Sequence, residues 1–351
     1  MKNRRCWHKM RSIAGLLVAF ALTFSDYVFA VELAPQKRNM TINGKEVFIP
    51  CVVSENLSEI APHISRVIFS IHSSGFDAGQ YFENAKLAAS KVPGSLNATL
   101  IIAPQFLEVS VLPPSIPDGL IYWRVSPYRG SSKASAGSSG TGIQVSAFDV
   151  MDDWLNEIVA SKSLPNLKDI VLVGHSAGGQ FVQRYAMVGK FLPPAGINCR
   201  FVVSAPSSYA YPSSERYDPR SKKFRLPDAE TLALCPDYDN WGYGLKEPYA
   251  YFSDVSPDEI AKRYAERYVF YLCGARDNDP NDDTIGKSCG AQWQGNNRLE
   301  RMQIYYRFLE FKYGKSIKHR HVAAVVPGVP HHGLGTMTSA AGLKFLFAPL
   351  P

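Results

Sequence analysis

The chain has 351 residues, of which 46% are hydrophobic and 20% are charged. This composition is typical of a globular protein, and the length suits one large domain with an insertion or two modest domains. The formal net charge is +7, but residues 1–30 carry five basic residues and one acid, which leaves 33 basic and 30 acidic residues and a net charge of +3 for residues 31–351. That balance is too weak to predict nucleic acid or an anionic membrane surface as a partner.

Residues 1–30 have the organisation of a signal peptide. Basic side chains precede an apolar run of 13 residues from Ser12 to Phe24, and small or apolar residues surround a predicted cut after Ala30. The run is shorter than the roughly 20 residues that span a bilayer, so we expect cleavage and no membrane anchor. The sequence therefore predicts a secreted or periplasmic protein.

After residue 30, the first predicted element is a hairpin from Met40 to Val53 that turns at Asn43-Gly44, a strong two-residue turn signal. Apolar runs and helical patterns then alternate. The predicted strands are Val67–Ile71, Thr99–Ile102, Ile170–Val173, Phe201–Val203, Val269–Leu272 and His321–Val326. The predicted helices are Asp77–Ala89, Ser146–Val159, Ala177–Val188 and Leu299–Tyr313. This alternation predicts an α/β fold with a mostly parallel central sheet and helices on both faces.

Two long stretches, Pro104–Val145 and Ser204–Pro257, interrupt the alternation. Loops of this length in a compact domain usually carry function. Residues 204–257 hold many aromatic side chains that are costly to leave in water, so we interpret them as a lid-like insertion in a single domain of residues 31–351. In the other stretch, Tyr122 and Trp123 are candidate substrate-binding residues, although packing in a core uses the same residue types.

Five cysteines follow residue 30, and none has the spacing of a metal site. Cys199 and Cys273 border or lie within apolar runs, where buried thiols are expected. Cys235 and Cys289 lie in polar surroundings, and export permits disulfides, so these two are predicted to pair. No metal site is predicted.

The clearest chemical signal is Gly-His-Ser-Ala-Gly at residues 174–178, between an apolar strand and a helical run. In that context the G-x-S-x-G pattern predicts a sharp turn that exposes Ser176 as a nucleophile at the start of a helix. Glycines are needed because side chains at Gly174 and Gly178 would collide with neighbouring backbone.

An oxyanion hole requires backbone N–H donors aimed at the reacting carbonyl. The N–H of Ala177, directly after the nucleophile, is one candidate. The second donor is expected in the loop after an earlier strand, where Ser73 and Ser74 follow His72. Either serine fits, and Ser73 is the residue assigned here.

A serine nucleophile also needs a base and an acid that orients the base. The chain order in this kind of site is Ser, then Asp or Glu, then His. Asp277 and His331, which follow the last two predicted strands, are assigned as acid and base. Asp279 is an alternative acid in the same loop. His332 is an alternative base, or a pocket residue that contacts the substrate.

The segment G-H-S-A-G-G at residues 174–179 resembles the elbows of the α/β-hydrolase superfamily, in particular those of secreted bacterial polyhydroxybutyrate-depolymerase-like and feruloyl-esterase-like enzymes. The resemblance covers roughly Thr41 to Ala348 and implies the α/β-hydrolase fold, an acyl-enzyme mechanism and no cofactor. The chain departs from the pattern at Ser73 and Pro330, where glycine is common. Further similar segments are Ile102–Phe106, Gln180–Ala186, Gly295–Arg298 and Val326–Val329.

The leading hypothesis is an exported serine hydrolase, esterase- or lipase-like, that cleaves a small-molecule or polymeric carboxylic ester. A serine peptidase on the same fold is the alternative, because the same triad cleaves amides. The third hypothesis is a non-catalytic binding protein on a hydrolase scaffold. The presence of Ser, Asp and His in the required order argues against it.

Overall fold

The computed structural model describes residues 31–55, 59–123 and 145–350; the predicted signal peptide lies outside these residues. The described strands are β1 (Gln36–Ile42), β2 (Lys45–Val53), β3 (Arg66–Ile71), β4 (Thr99–Pro104), β5 (Leu107–Glu108), β6 (Tyr122–Trp123), β7 (Asp169–His175), β8 (Asn198–Ser204), β9 (Arg216–Asp218), β10 (Lys223–Arg225), β11 (Tyr268–Gly274) and β12 (His321–Val326). Eight of them form one sheet in the order β1-β2-β4-β3-β7-β8-β11-β12. The short pairs β5–β6 and β9–β10 form separate two-stranded sheets.

The helices in the described residues are α1 (Ala78–Ser90), α2 (Ala147–Ala160), α3 (Ala177–Val188), α4 (Ala229–Leu234), α5 (Pro257–Glu266), α6 (Cys289–Gln292), α7 (Arg298–Tyr313), α8 (Gly333–Met337) and α9 (Ala340–Phe347). Short 3-10 turns occur at Val109–Val111 and Lys315–His319. None of the described helices is long and apolar enough to cross a membrane. All four helices expected from the sequence are present, with ends that differ by a residue or two.

The main sheet is parallel from β4 to β12 and antiparallel at its β1–β2 edge. The β1–β2 hairpin turns at Asn43 and Gly44, whose φ angles of 51° and 73° are both positive, as the tight hairpin turn requires. A long crossover is needed to join parallel strands, and here the helices provide it. The predicted sheet is confirmed.

Alternating side chains of the parallel strands pack into two hydrophobic cores, one on each face of the sheet. In β3, Val67 and Phe69 pack in the core that holds α2, α3, α5 and α7, and Ile68 packs in the core that holds α1 and α9. Strands covered on both faces are apolar along their whole length, which is why they appear as continuous hydrophobic runs in the sequence.

Helix α5 was missed by the sequence analysis, although its start carries a clear signal. Ser256 caps the helix and Glu259 bonds back to the Ser256 backbone, with Pro257 at the first helical position. Helices α8 and α9 were also missed. They are short and follow the histidine loop, so neither offers a periodic pattern long enough to stand out.

Residues 204–257 contribute to the hydrophobic core and also form short secondary-structure elements outside it. Tyr209 and Tyr211 are fully buried, and Tyr209 stacks on Tyr305 of α7 with ring centroids 4.4 Å apart. Beyond them the chain forms β9, β10 and α4. The predicted disulfide is present: it joins Cys235, at the end of α4, to Cys289, at the start of α6.

Three buried histidines have lowered pKa values. His72 is held on both ring nitrogens, since Nδ1 donates to Ser73 O at 2.7 Å and Nε2 accepts from the Phe106 N–H at 2.9 Å. Burial lowers the pKa of His72 to about 4 and, in β12, that of His321 to about 4. Burial also lowers the pKa of His175 well below its usual range. These imidazoles are neutral at pH 7.

We expect the free energy of unfolding to fall as the pH is lowered from 7 to 5. The unfolded chain protonates these histidines near pH 6.5, whereas the folded chain keeps them neutral, so each costs up to about 1.4 kcal/mol per pH unit in this range. Urea denaturation at half-unit pH steps measures the slope. His321→Asn removes one of the three histidines. The number of protons taken up on unfolding should then fall by up to one, and the slope of the unfolding free energy against pH should become correspondingly shallower. A stability independent of pH between 7 and 5 would contradict this account.

Removing the disulfide should destabilise the fold. The bridge spans a sequence separation of 54, and the chain-entropy model gives about 4 kcal/mol for a loop of this size. We expect the double variant Cys235→Ser/Cys289→Ser to lose stability of that order in denaturant titrations, and dithiothreitol-treated protein to match it. Cys199→Ser, at a free cysteine, is the control. Equal unfolding midpoints for the oxidised and reduced proteins would show that the bridge contributes nothing.

Candidate active site

Ser176 lies at the turn between β7 and α3 with φ 57° and ψ −118°. A positive φ in a residue other than glycine is strained and costs on the order of 1–3 kcal/mol, so surrounding contacts must hold it. One of them is the hydrogen bond from the Ser176 N–H to Ser204 O, at the end of β8, at 2.9 Å. The backbone at Ser176 is therefore a sharp strand-to-helix turn.

Three glycines around Ser176 leave no room for a side chain. A Cβ at Gly178 would lie 2.7 Å from His72 O and closer still to Ile71 O. A Cβ at Gly179 would lie 2.5 Å from Ser204 O. A Cβ at Gly174 would collide with the backbone of Gly178. The turn therefore packs directly against the ends of β3 and β8.

Asp277 and His331 meet at the same edge of the sheet. They follow β11 and β12, which are neighbouring parallel strands, so their loops emerge side by side. His331 Nδ1 lies 2.7 Å from Asp277 Oδ2, and the carboxylate accepts the N–H of this nitrogen. The two loops are also joined by a hydrogen bond from the Arg276 N–H to Val329 O at 2.9 Å.

A buried arginine on α7 holds the acid loop. The guanidinium of Arg298 lies 3.3 Å from Asp277 Oδ1 and 3.2 Å from Asp282 Oδ2, and it donates to Thr284 Oγ1 at 2.7 Å. Burial opposes ionisation of Asp282, but hydrogen bonds from Thr284 and Arg298 outweigh it and lower the pKa of that carboxyl. The role of Arg298 could not be predicted from the sequence, because a lone arginine at the start of a helix has no recognisable pattern.

His331 packs against the residue that precedes the nucleophile. Its ring centroid lies 4.4 Å from that of His175. Burial, then the charges of His331, Arg298 and His332, lower the pKa of His175, so this ring stays neutral and does not compete for a proton. Nδ1 of His175 is hydrogen-bonded to Ser204 Oγ at 3.0 Å.

The two alternatives left open by the sequence lie elsewhere. His332 is exposed and caps α8, where its Nδ1 accepts a hydrogen bond from the Gly335 N–H at 3.3 Å. Asp279 is exposed and accepts from the Asn281 N–H at 2.8 Å. Neither of them is hydrogen-bonded to Asp277 or His331.

A cavity of about 490 Å³ opens beside Ser176. Helix α3 contributes Ala177, Gln180 and Arg184 to its lining. The stretch 204–257 contributes aromatic side chains, and the loop after Asp277 contributes residues 284–286. The predicted insertion therefore forms part of the cavity wall.

The two serines after β3 are placed differently with respect to the cavity. Ser74 lines the cavity together with Ser176 and Ala177, and Ser73 does not. Instead, the Ser73 carbonyl accepts the hydrogen bond from His72 that fixes the loop.

Tyr122 and Trp123 were expected to contact substrate, and the structure places both in the core. Each side chain is 1% exposed, and neither lines the Ser176 cavity. They form the short strand β6, and Trp123 packs edge-on against Phe106 with ring centroids 5.6 Å apart. Their position favours packing over binding.

Arg184 was not singled out in the sequence. The signal was available, since residues 176, 180 and 184 are four apart and fall on one face of a predicted helix.

Within the described residues, no group of three or more His, Cys, Asp or Glu side chains is arranged to hold a metal ion.

No protein-family model matches the chain, and no curated protein matches it. Solved structures do. Poly(aspartic acid) hydrolase-1 from Sphingomonas sp. KT-1 is 19% identical, aligns over 90% of this chain and 99% of its own, and has a TM-score of 0.55. The poly(3-hydroxybutyrate) depolymerase LpqC from Bordetella parapertussis is 18% identical, aligns over 90% and 91%, and also has a TM-score of 0.55. The chain therefore has the α/β-hydrolase fold.

Proposed function

We propose that this chain is a serine hydrolase that cleaves carboxylic esters through an acyl-enzyme intermediate. The observation that carries the proposal is the position of the Asp277–His331 pair against the Ser176 elbow. His331 Nδ1 is bonded to the carboxylate, which leaves Nε2 to serve as the base. Ser176 is partly exposed and lies on the cavity wall.

In the proposed reaction, Ser176 Oγ attacks the ester carbonyl and its proton passes to His331. Asp277 orients the imidazole and stabilises its cation. The negative charge on the carbonyl oxygen is held by backbone N–H groups, those of Ala177 and Ser74. His331 then protonates the departing alcohol, and a water molecule, deprotonated by the same imidazole, releases the acid and restores Ser176.

The proposal extends to location and substrate. Export by the predicted signal peptide is supported by the disulfide, which forms in oxidising compartments. The two compared proteins are named for hydrolysis of polymers. We therefore include polymeric as well as small esters, and no cofactor takes part in the proposed steps.

Ser176→Ala should abolish ester hydrolysis without changing the fold. We expect release of p-nitrophenol from p-nitrophenyl acyl esters to fall by at least about a thousandfold, because the covalent step is lost. A fluorophosphonate probe should label the wild-type protein at Ser176 only. Ser207→Ala, in the same cavity, is the control and should keep its activity. Undiminished turnover by purified Ser176→Ala protein would refute the assignment, and faster cleavage of a matched amide than of the ester would favour a peptidase.

Matched substitutions at the acid and base loops test the roles of the pair. Asp277→Asn and His331→Gln should each lower kcat by at least about a hundredfold, because base catalysis depends on both groups. Asp279→Asn and His332→Gln, at the exposed neighbours, should change kcat less than about threefold. Steady-state kinetics with circular dichroism of each folded variant makes the comparison. The proposed roles would be contradicted if Asp279→Asn lowered kcat as much as Asp277→Asn, or if His332→Gln lowered it as much as His331→Gln.

A further inference from the structure

One face of α3 runs along the Ser176 cavity. Ser176, Gln180 and Arg184 all line that cavity, and their spacing of four residues keeps them on one side of the helix. Eight residues of helix rise by about 12 Å. The cavity therefore leads from the serine hydroxyl toward a guanidinium that lies two turns further along the helix.

The Arg184 side chain is 5% exposed and is held by hydrogen bonds. Its Nη2 donates to Gly242 O at 2.8 Å and to Ser208 Oγ at 3.3 Å. The Gln180 side-chain amide donates to the same hydroxyl at 2.7 Å. This end of the cavity is thus a set of polar groups with fixed directions, built from α3 and the insertion.

The described part of the cavity wall is mostly uncharged. Arg184 is the one charged side chain among the described residues that line it. The others are small, hydroxyl-bearing, amide, aliphatic or aromatic residues such as Ser207, Ile285 and Tyr249. A guanidinium in a partly enclosed site of low dielectric attracts an anion more strongly than one in open solvent, and its planar donors suit a carboxylate.

We propose that the Ser176 cavity selects esters that carry a carboxylate and that Arg184 binds that carboxylate. This inference rests on the proposed ester hydrolysis at Ser176. Helical side chains lean toward the helix start, so Arg184 reaches back toward Ser176, and the carboxylate should lie on the order of 8 Å from the scissile carbonyl carbon. Monoesters of medium-length dicarboxylic acids meet this requirement.

The test uses pairs of substrates that differ only in charge. The anionic members are the p-nitrophenyl monoesters of succinic, adipic and suberic acids. The neutral members are the corresponding methyl p-nitrophenyl diesters. A fourth pair, 4-acetoxybenzoate and its methyl ester, places the carboxylate on the alcohol side. The measured quantity is the ratio of kcat/KM for the anionic and neutral members, with the Ser176→Ala rate subtracted.

We expect the wild-type protein to favour the anionic adipate or suberate ester by at least about tenfold, the size of one charge-assisted hydrogen bond. Arg184→Gln should bring the ratio close to one, because the anionic substrate loses its partner and the neutral substrate does not. Arg184→Lys should keep part of the preference. Arg263→Gln is the matched control, because Arg263 bonds Val188 O at the far end of α3, outside this cavity, and it should keep the full ratio.

The outcomes separate the two proposals. A wild-type ratio at or below one for every pair overturns the carboxylate preference, and this result needs no variant to fold. The carboxylate preference is also overturned if Arg184→Gln keeps the wild-type ratio. It is overturned as well if this variant loses the anionic and the neutral rate in equal proportion, because that result indicates a structural role for Arg184. If the wild-type protein hydrolyses none of these substrates faster than Ser176→Ala does, the proposed ester hydrolysis itself is overturned.

Discussion

The close approach of backbone around Ser176 is the constraint on which the whole site depends. Because Gly178 bears no side chain, α3 can begin directly against the carbonyls of Ile71 and His72 at the end of β3. The bond from the Ser176 N–H to Ser204 O ties the same turn to β8. The strained backbone of the serine is therefore supported by three neighbouring strands, and the sheet itself fixes where the hydroxyl points.

The order of the strands explains why distant residues converge. β7, β8, β11 and β12 are adjacent and parallel, so the elbow after β7, the acid loop after β11 and the histidine loop after β12 leave the sheet at one edge. Arg298 adds a buried charge that spans Asp277 and Asp282. Such a charge costs desolvation energy, and the two carboxylates that it contacts offset part of that cost.

Much of the fold and of the candidate site could be predicted from the sequence, because the sequence patterns that indicate them are local. Apolar runs, the Asn43-Gly44 turn and the elbow motif depend on neighbours in the chain, and the order of Ser176, Asp277 and His331 follows from the fold they indicate. The remaining features depend on tertiary contacts. Tyr122 and Trp123 have residue types that suit a core and a pocket equally. Arginines at positions 184 and 298 look like ordinary solvated charges until the surrounding chain buries them.

The disulfide has a consequence for when the cavity takes its final form. Cys235 belongs to residues 204–257, which supply aromatic side chains to the cavity wall, and Cys289 comes three residues after residues 284–286, which also line the cavity. The covalent bond therefore links the two segments that supply these parts of the wall. If the chain is exported as proposed, the newly made protein lacks this link until it meets an oxidant. Maturation of the substrate entrance would then be a chemical event of the destination compartment, separate from the folding of the sheet.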